Sequence, residues 1–228
     1  MRTKGLLSII MLLGLLFTVQ AADHVKGNGT LTTKKIKIDE FNTIKIDGVI
    51  DFNYEQSDAE PYIEVTVDEN LHEFVNINIK DRELSIGFKG AKVDHYTKFI
   101  VKTNSKWLKE VKASGNANFM VNSAITGDEV KIKANSNCLV QLKETVKVGK
   151  LELNVSGSAN MVVNELQADK LECSINGSGT INLKKGKAAV GEYSITSSGE
   201  IMAFGVEVPD LTCKMTGNGT MKVHPTDN

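Results

Sequence analysis

From residue 110 onward, apolar residues fall at every second position on either side of a short run of Ser, Asn and Gly, and the whole pattern recurs. Six segments align: ASGNANF (113–119), ANSNCLV (134–140), VSGSANM (155–161), INGSGTI (175–181), ITSSGEI (195–201) and MTGNGTM (215–221). Their third residues, Gly115, Ser136, Gly157, Gly177, Ser197 and Gly217, lie 21, 21, 20, 20 and 20 residues apart. A fixed period of this length predicts a solenoid. A glycine loop built to hold one phosphate has no reason to occur six times.

Alternate residues of a strand face the same way, so counting outward from the third residue sorts inside from outside. The columns Val111, Ile132, Leu153, Cys173, Tyr193, Cys213 and Ala113, Ala134, Val155, Ile175, Ile195, Met215 precede it and point inward. After it come a small column (Ala117, Cys138, Ala159, Gly179, Gly199, Gly219), a large one (Phe119, Val140, Met161, Ile181, Ile201, Met221) and a third (Val121, Leu142, Val163, Leu183, Ala203, Val223). Each repeat is thus a strand, a corner, a second strand and a return segment such as NELQADK (164–170). Coils would stack about 4.8 Å apart, with each strand paired to its equivalents above and below.

Residues 23–105 keep the β alternation without the strict period. FNTIKIDGVIDFNYEQSD (41–58) looks like one degenerate rung turning at Gly48, and YIEVTVDENLHEFVNINIKDRELSIGFKG (62–90) reads as hairpin strands with a turn at KDRE. KGNGTLT (26–32) resembles TGNGTMK (216–222), which points to its pairing or stacking with the solenoid. The expected class is all-β, a right-handed parallel β-helix-like solenoid of about six 20–21-residue repeats over 106–228, with an irregular N-terminal β region over 23–105 packed on it or continuous with it.

Composition narrows the setting. With 228 residues, a net charge of -1, 24% charged and 41% hydrophobic residues, the chain has the profile of a globular protein with no basic excess for nucleic acid. Arg2 and Lys4 precede an apolar run from Leu6 to Val19 and the small residues Ala21 and Ala22, the pattern of a cleaved signal peptide over 1–22. That run is short for a transmembrane segment and no second one follows. The protein is expected to be exported to the periplasm, cell surface or medium. Cys138, Cys173 and Cys213 have no paired spacing and are expected to be buried thiols acting as small hydrophobes.

The order of features then points to a family. An entry strand with Phe41, Ile44, Ile46 and Gly48 is followed by Asp81, Leu84 and Ile86, and then by serial corners (Ser114, Gly115, Ala117; Ser156, Gly157, Ala159; Asn176, Gly177, Gly179). This ensemble resembles the putative auto-transporter adhesin, head GIN domain family, common among exported proteins of the Bacteroidetes. The resemblance implies a β-helix-like fold and a cell-envelope location, and it brings no catalytic residues. Ser136 and Ser197 depart from the glycine usual at the corner, which puts the conformation there in question.

The search for chemistry returns little. Glu152, Glu172 and Glu192 stack on one outward column, yet a calcium site needs six to eight oxygen ligands, so a solvated face relieved by lysines is the better reading. His24, His72, His95 and His224 are scattered without zinc-site or triad spacing, and no G-x-S-x-G occurs. No catalytic residue, metal ligand or cofactor is assigned, and the chain is read as a non-enzyme. Trp107, ahead of the first regular coil, is expected to cap the core rather than to serve as a sugar platform.

One outward strip is less bland. Met120, Leu139, Val162 and Met202 lie among Asn118, Gln141, Asn160, Asn182 and Lys222 on one strand face. The strip is either a binding surface or the seat of the N-terminal strands. Met120, Gln141, Asn160, Val162, Asn182 and Met202 are the candidate binding residues, for a glycan or for an envelope or host protein. A polysaccharide-acting β-helix enzyme and a purely structural envelope protein are the alternatives. The last rung has no evident cap, which leaves end-to-end homo-oligomers open.

Overall fold

The computed structural model describes residues 24–224, and the leader read over 1–22 lies outside the described residues. Among the described residues, eighteen strands join one continuous sheet, while His24–Lys26 and Lys92–His95 form a separate parallel pair. The large sheet winds into a β-solenoid of about five turns.

Three faces result. The first stacks Glu83–Phe88, Thr43–Gly48 and Glu110–Gly115, then residues 131–134, 152–157, 172–177, 192–197 and 212–216. The second stacks Ile100–Ser105, Asp51–Gln56 and Asn118–Val121, then 139–142, 160–163, Thr180–Leu183, Glu200–Ala203 and Thr220–Val223. All these junctions are parallel. The third face begins only at Ile125 and continues through 146–151, 166–171, 186–191 and Val206–Glu207.

The degenerate rung read at 41–58 is a true rung, but spatial order departs from chain order. Thr43–Gly48 lies between Glu83–Phe88 and Glu110–Gly115, and Asp51–Gln56 lies between Ile100–Ser105 and Asn118–Val121. The chain lays down this rung, drops below it to build 62–105, and climbs past it to start the regular coils. Below, the stack turns antiparallel: Tyr62–Asp68 pairs with Ile100–Ser105 on one side and Leu31–Lys37 on the other, and Val75–Lys80 pairs with Glu83–Phe88. The hairpin turn holds Asp81 at φ 52° and Arg82 at φ 62°, the two positive values that a tight turn matched to strand twist requires. KGNGTLT therefore joins the lower cap, where Leu31 faces Asp68, and not the upper coils.

The inward columns form one core. Val111, Ile132, Leu153, Cys173 and Tyr193 are buried in series, and the Phe52 and Phe119 rings stack at 5.6 Å between adjacent rungs. At the corners Gly48, Gly115, Ser136, Gly157, Gly177, Ser197 and Gly217 all have positive φ, from 64° to 136°. The two serines thus take the glycine conformation. Each lies between glycines above and below, so no side chain stacks on another where the backbones touch.

The last coil differs from its neighbours because nothing described lies above it. Cys213 and Met215, expected inside, are exposed there, Met215 by 54%.

Candidate functional site

The outward strip is built by strand pairing alone. Met120 pairs with Gln141, Gln141 with Val162, Val162 with Asn182, and Asn182 with Met202, so these five residues form one column. Asn160 stands in the next column beside Leu139 and Thr180. The first column runs on through Lys222 above and through Asn53, Lys102, Glu64 and Lys35 below. The N-terminal strands therefore extend this sheet from its lower edge and do not lie across the strip. Met120, Gln141, Val162, Asn182 and Met202 are half-buried by their neighbours in the sheet, and Asn160 is exposed. Four strand spacings separate Met120 from Met202, about 19 Å along the face. Carboxylate–lysine pairs mark both ends, Glu64–Lys102 at 3.3 Å and Glu200–Lys222 at 2.8 Å.

The stacked glutamates lie around the corner on the first face, and lysines separate them. Lys150 reaches Glu172 at 3.0 Å and Glu152 at 3.7 Å, while Lys170 bridges Glu172 and Glu192 at 2.8 Å each. The ladder continues downward through Lys131 to Glu152 and through Lys133 and Lys112 to Glu110 and Glu83. Ion pairing with Lys170 holds the Glu172 carboxyl below the ordinary carboxylate range, and pairing with Glu172 pushes the Lys170 ammonium up. The carboxylates are compensated by cations already in the chain. Among the described residues no group of three or more His, Cys, Asp or Glu is placed to hold a metal.

One feature escaped the sequence reading. Because the third face starts only at Ile125, no described strand pairs with residues 125–129 from below. The Gln56 side chain takes part of that place: its amide oxygen accepts the Thr126 N–H at 2.9 Å, and its amide nitrogen donates to the Thr126 and Lys106 carbonyls at 3.0 and 2.9 Å. Beside it opens a cleft of 730 Å³ lined by Glu40, Arg82, Trp107, Lys109, Asp128 and Glu129 among others. Trp107 is 48% exposed at this cleft, and its neighbour Leu108 is the residue that enters the core. The expectation that Trp107 caps the core is corrected accordingly. The crossover over the inserted rung turns the indole outward, and only the missing strand below Ile125 could have signalled it.

Stacked corners, a filled core and polar side chains arrayed along the outer faces define a β-solenoid scaffold. The family model for putative auto-transporter adhesin, head GIN domain, matches residues 40–228, and the chain belongs to that family. It is similar to the crystal structure of a putative adhesin from Parabacteroides merdae, at 75% identity and TM-score 0.89 over 90% of this chain and 85% of that one. A putative adhesin from Parabacteroides distasonis is 71% identical, with TM-score 0.88 over 88% and 84% of the two chains. A putative lipid binding protein from the same species is 28% identical, with TM-score 0.78 over 88% of this chain and 100% of that one. No curated protein matches the chain.

Proposed function

We propose that this protein is an exported adhesion module of the cell envelope that binds glycan through the flat outer face running from Met120 to Met202. The observation that carries the reading is the uncovered column Met120–Gln141–Val162–Asn182–Met202. Gln141, Asn160 and Asn182 offer side-chain donors and acceptors together, the pairing that sugar hydroxyls need. Met120, Val162 and Met202 supply apolar contact between them for the C–H faces of a sugar ring. Spacing at the strand repeat of about 4.8 Å suits an extended, repeating ligand better than a small compact one. A non-enzymatic role agrees with the lysine-bridged glutamates and with a family described as adhesins.

The cleft at Trp107 supports a second reading, in which the half-exposed indole is the principal sugar platform. Both readings meet one experiment. The purified protein is applied to an array of host and bacterial glycans, with and without calcium, while cleavage products are monitored. Selective binding without turnover, weakened in M120A, V162A and M202A variants, supports the flat face; loss in W107A alone moves the site to the cleft. Turnover of any glycan overturns the non-enzymatic reading.

A further inference from the structure

The upper end of the solenoid carries an interaction surface that does not depend on the glycan reading. Asp210–Thr216 pairs with residues 190–196 on one side and with no described strand on the other. Its inward side chains, Leu211, Cys213 and Met215, would be buried in any lower coil, yet here Cys213 and Met215 are exposed and Leu211 is only partly covered. An open strand edge next to exposed apolar groups is a template for one more strand. We propose that a second copy of this chain supplies it, with the two Asp210–Thr216 strands pairing antiparallel about a two-fold axis through Thr212.

Charge selects this partner and this register. Directly opposed residues in an antiparallel pair share a face, so the two residue numbers must sum to an even value. With Thr212 on the axis, outward Asp210 of each copy faces outward Lys214 of the other, and inward Leu211 faces inward Cys213. Over the overlapping positions 210–214 each opposed pair is then matched in charge or in polarity, and Met215 of each copy lies beyond the paired segment, toward Pro209 of the other. Centring on Cys213 would set Lys214 against Thr212 and Asp210 against Thr216, leaving both charges without a counter-ion, and centring on Lys214 would oppose two lysines. Within one chain Asp210 and Lys214 form no salt bridge among the described residues, and four residues of extended strand, about 13 Å, keep them apart. Both charges are therefore available to a partner.

The lower end of another copy is a poor substitute. Its second-face edge strand, Leu31–Lys37, carries Lys34, Lys35 and Lys37, and Lys35 stands in the same outward column as Lys222. Continuing the stack head to tail would set lysine against lysine along that column. Lysine on an edge strand is a device against such growth, and the upper strand carries a self-complementary pair instead. A two-fold contact of this kind closes after two copies and points both glycan-reading faces outward on one rigid body.

The test is a charge reversal read by sedimentation velocity over a range of protein concentrations, under reducing conditions so that no disulfide holds the copies together. The wild type is expected to form a dimer. D210K and K214D are each expected to weaken it by about tenfold or more, and the double variant D210K/K214D to restore it, because the double reversal rebuilds both cross-copy pairs. Circular dichroism verifies that each variant is folded. As a second readout, maleimide labelling of Cys213, exposed in the single chain, is expected to slow as the dimer forms and covers it, while Cys138 and Cys173 are buried throughout. A monomer at every concentration overturns the proposal. So does a dimer indifferent to the reversals, and so does open-ended growth into longer assemblies.

Discussion

Gly177 stands directly over Gly157, so close that a β-carbon on Gly177 would come 2.4 Å from the Gly157 carbonyl oxygen. Gly177 also holds φ at 136°, where L side chains rarely go. Close approach and a left-handed corner together explain why glycine and serine alternate so sparingly in this column. Ser136 and Ser197 are accommodated because each has glycine in the coils on both sides.

Replacing Gly177 with Ala is therefore expected to destabilise the solenoid by about 1–3 kcal/mol, through strained backbone and displacement of the Gly157 peptide. The reverse change at Ser136, where φ is 64°, is expected to be neutral or mildly stabilising. Denaturant midpoints of G177A and S136G measure the contrast.

Asp68 ties the N-terminal segment to the lower cap. Its fully buried carboxylate accepts the Gly29 N–H at 2.7 Å, the Thr97 N–H at 2.7 Å and the Thr97 hydroxyl at 2.8 Å. Burial alone would raise its pKa; the hydrogen bonds from Thr97 and Gly29 together outweigh it and hold the group below its ordinary value of 3.8. A depressed native pKa contributes stability that is complete above the unfolded value and is lost as pH falls through the native one. Melting temperature is thus expected to be insensitive to Asp68 near neutrality and to decline below about pH 4. D68A, which leaves the part-buried Gly29 and Thr97 donors without their acceptor, is expected to cost about 1–3 kcal/mol at pH 7 and to flatten part of the acid limb. A D68A melting profile as steep in acid as the wild type would contradict this assignment.

Tyr193 shows the opposite condition. Its ring fills the core between Cys173 and Cys213, and its buried hydroxyl has no hydrogen-bond partner among the described residues. Burial pushes that phenol far up. Y193F removes an unsatisfied polar atom while keeping the ring, and is expected to stabilise the protein by about 1 kcal/mol in equilibrium unfolding.

Calcium offers a test of the ion ladder. With Lys150 and Lys170 seated between Glu152, Glu172 and Glu192, millimolar calcium is expected to leave the melting temperature unchanged. A rise of several degrees would mean that the cation displaces the lysines, and would return the stacked glutamates to consideration as ligands.

The regular coils were legible in the sequence because each repeat states its own geometry. The inward column from Val111 through Tyr193 and the small column from Ala117 through Gly199 are buried where the alternation put them. The rung at Thr43–Gly48 was also visible, through Ile44, Ile46 and Gly48, which occupy the equivalents of Val111, Ala113 and Gly115. Its place in the stack was not. Alternation records which face a residue takes but not which strand lies above it, and the descent to 62–105 before Glu110 leaves no mark in periodicity. Trp107 and Cys213 were misread for a related reason. Burial at those positions depends on whether another strand is present, below Ile125 in one case and above Asp210 in the other, and no single repeat carries that information. The Met120–Met202 column lay between the two cases: its alignment could be read, but whether the N-terminal strands lay over it needed the fold.

The most direct test of the proposed binding face is a titration of the best array glycan into the wild type and into V162K, which places a long cation at the centre of the strip without touching the core. Binding weakened by about tenfold or more in V162K, with the melting temperature unchanged and W107A binding as the wild type does, is the predicted result. Equal affinity of V162K and the wild type would contradict it.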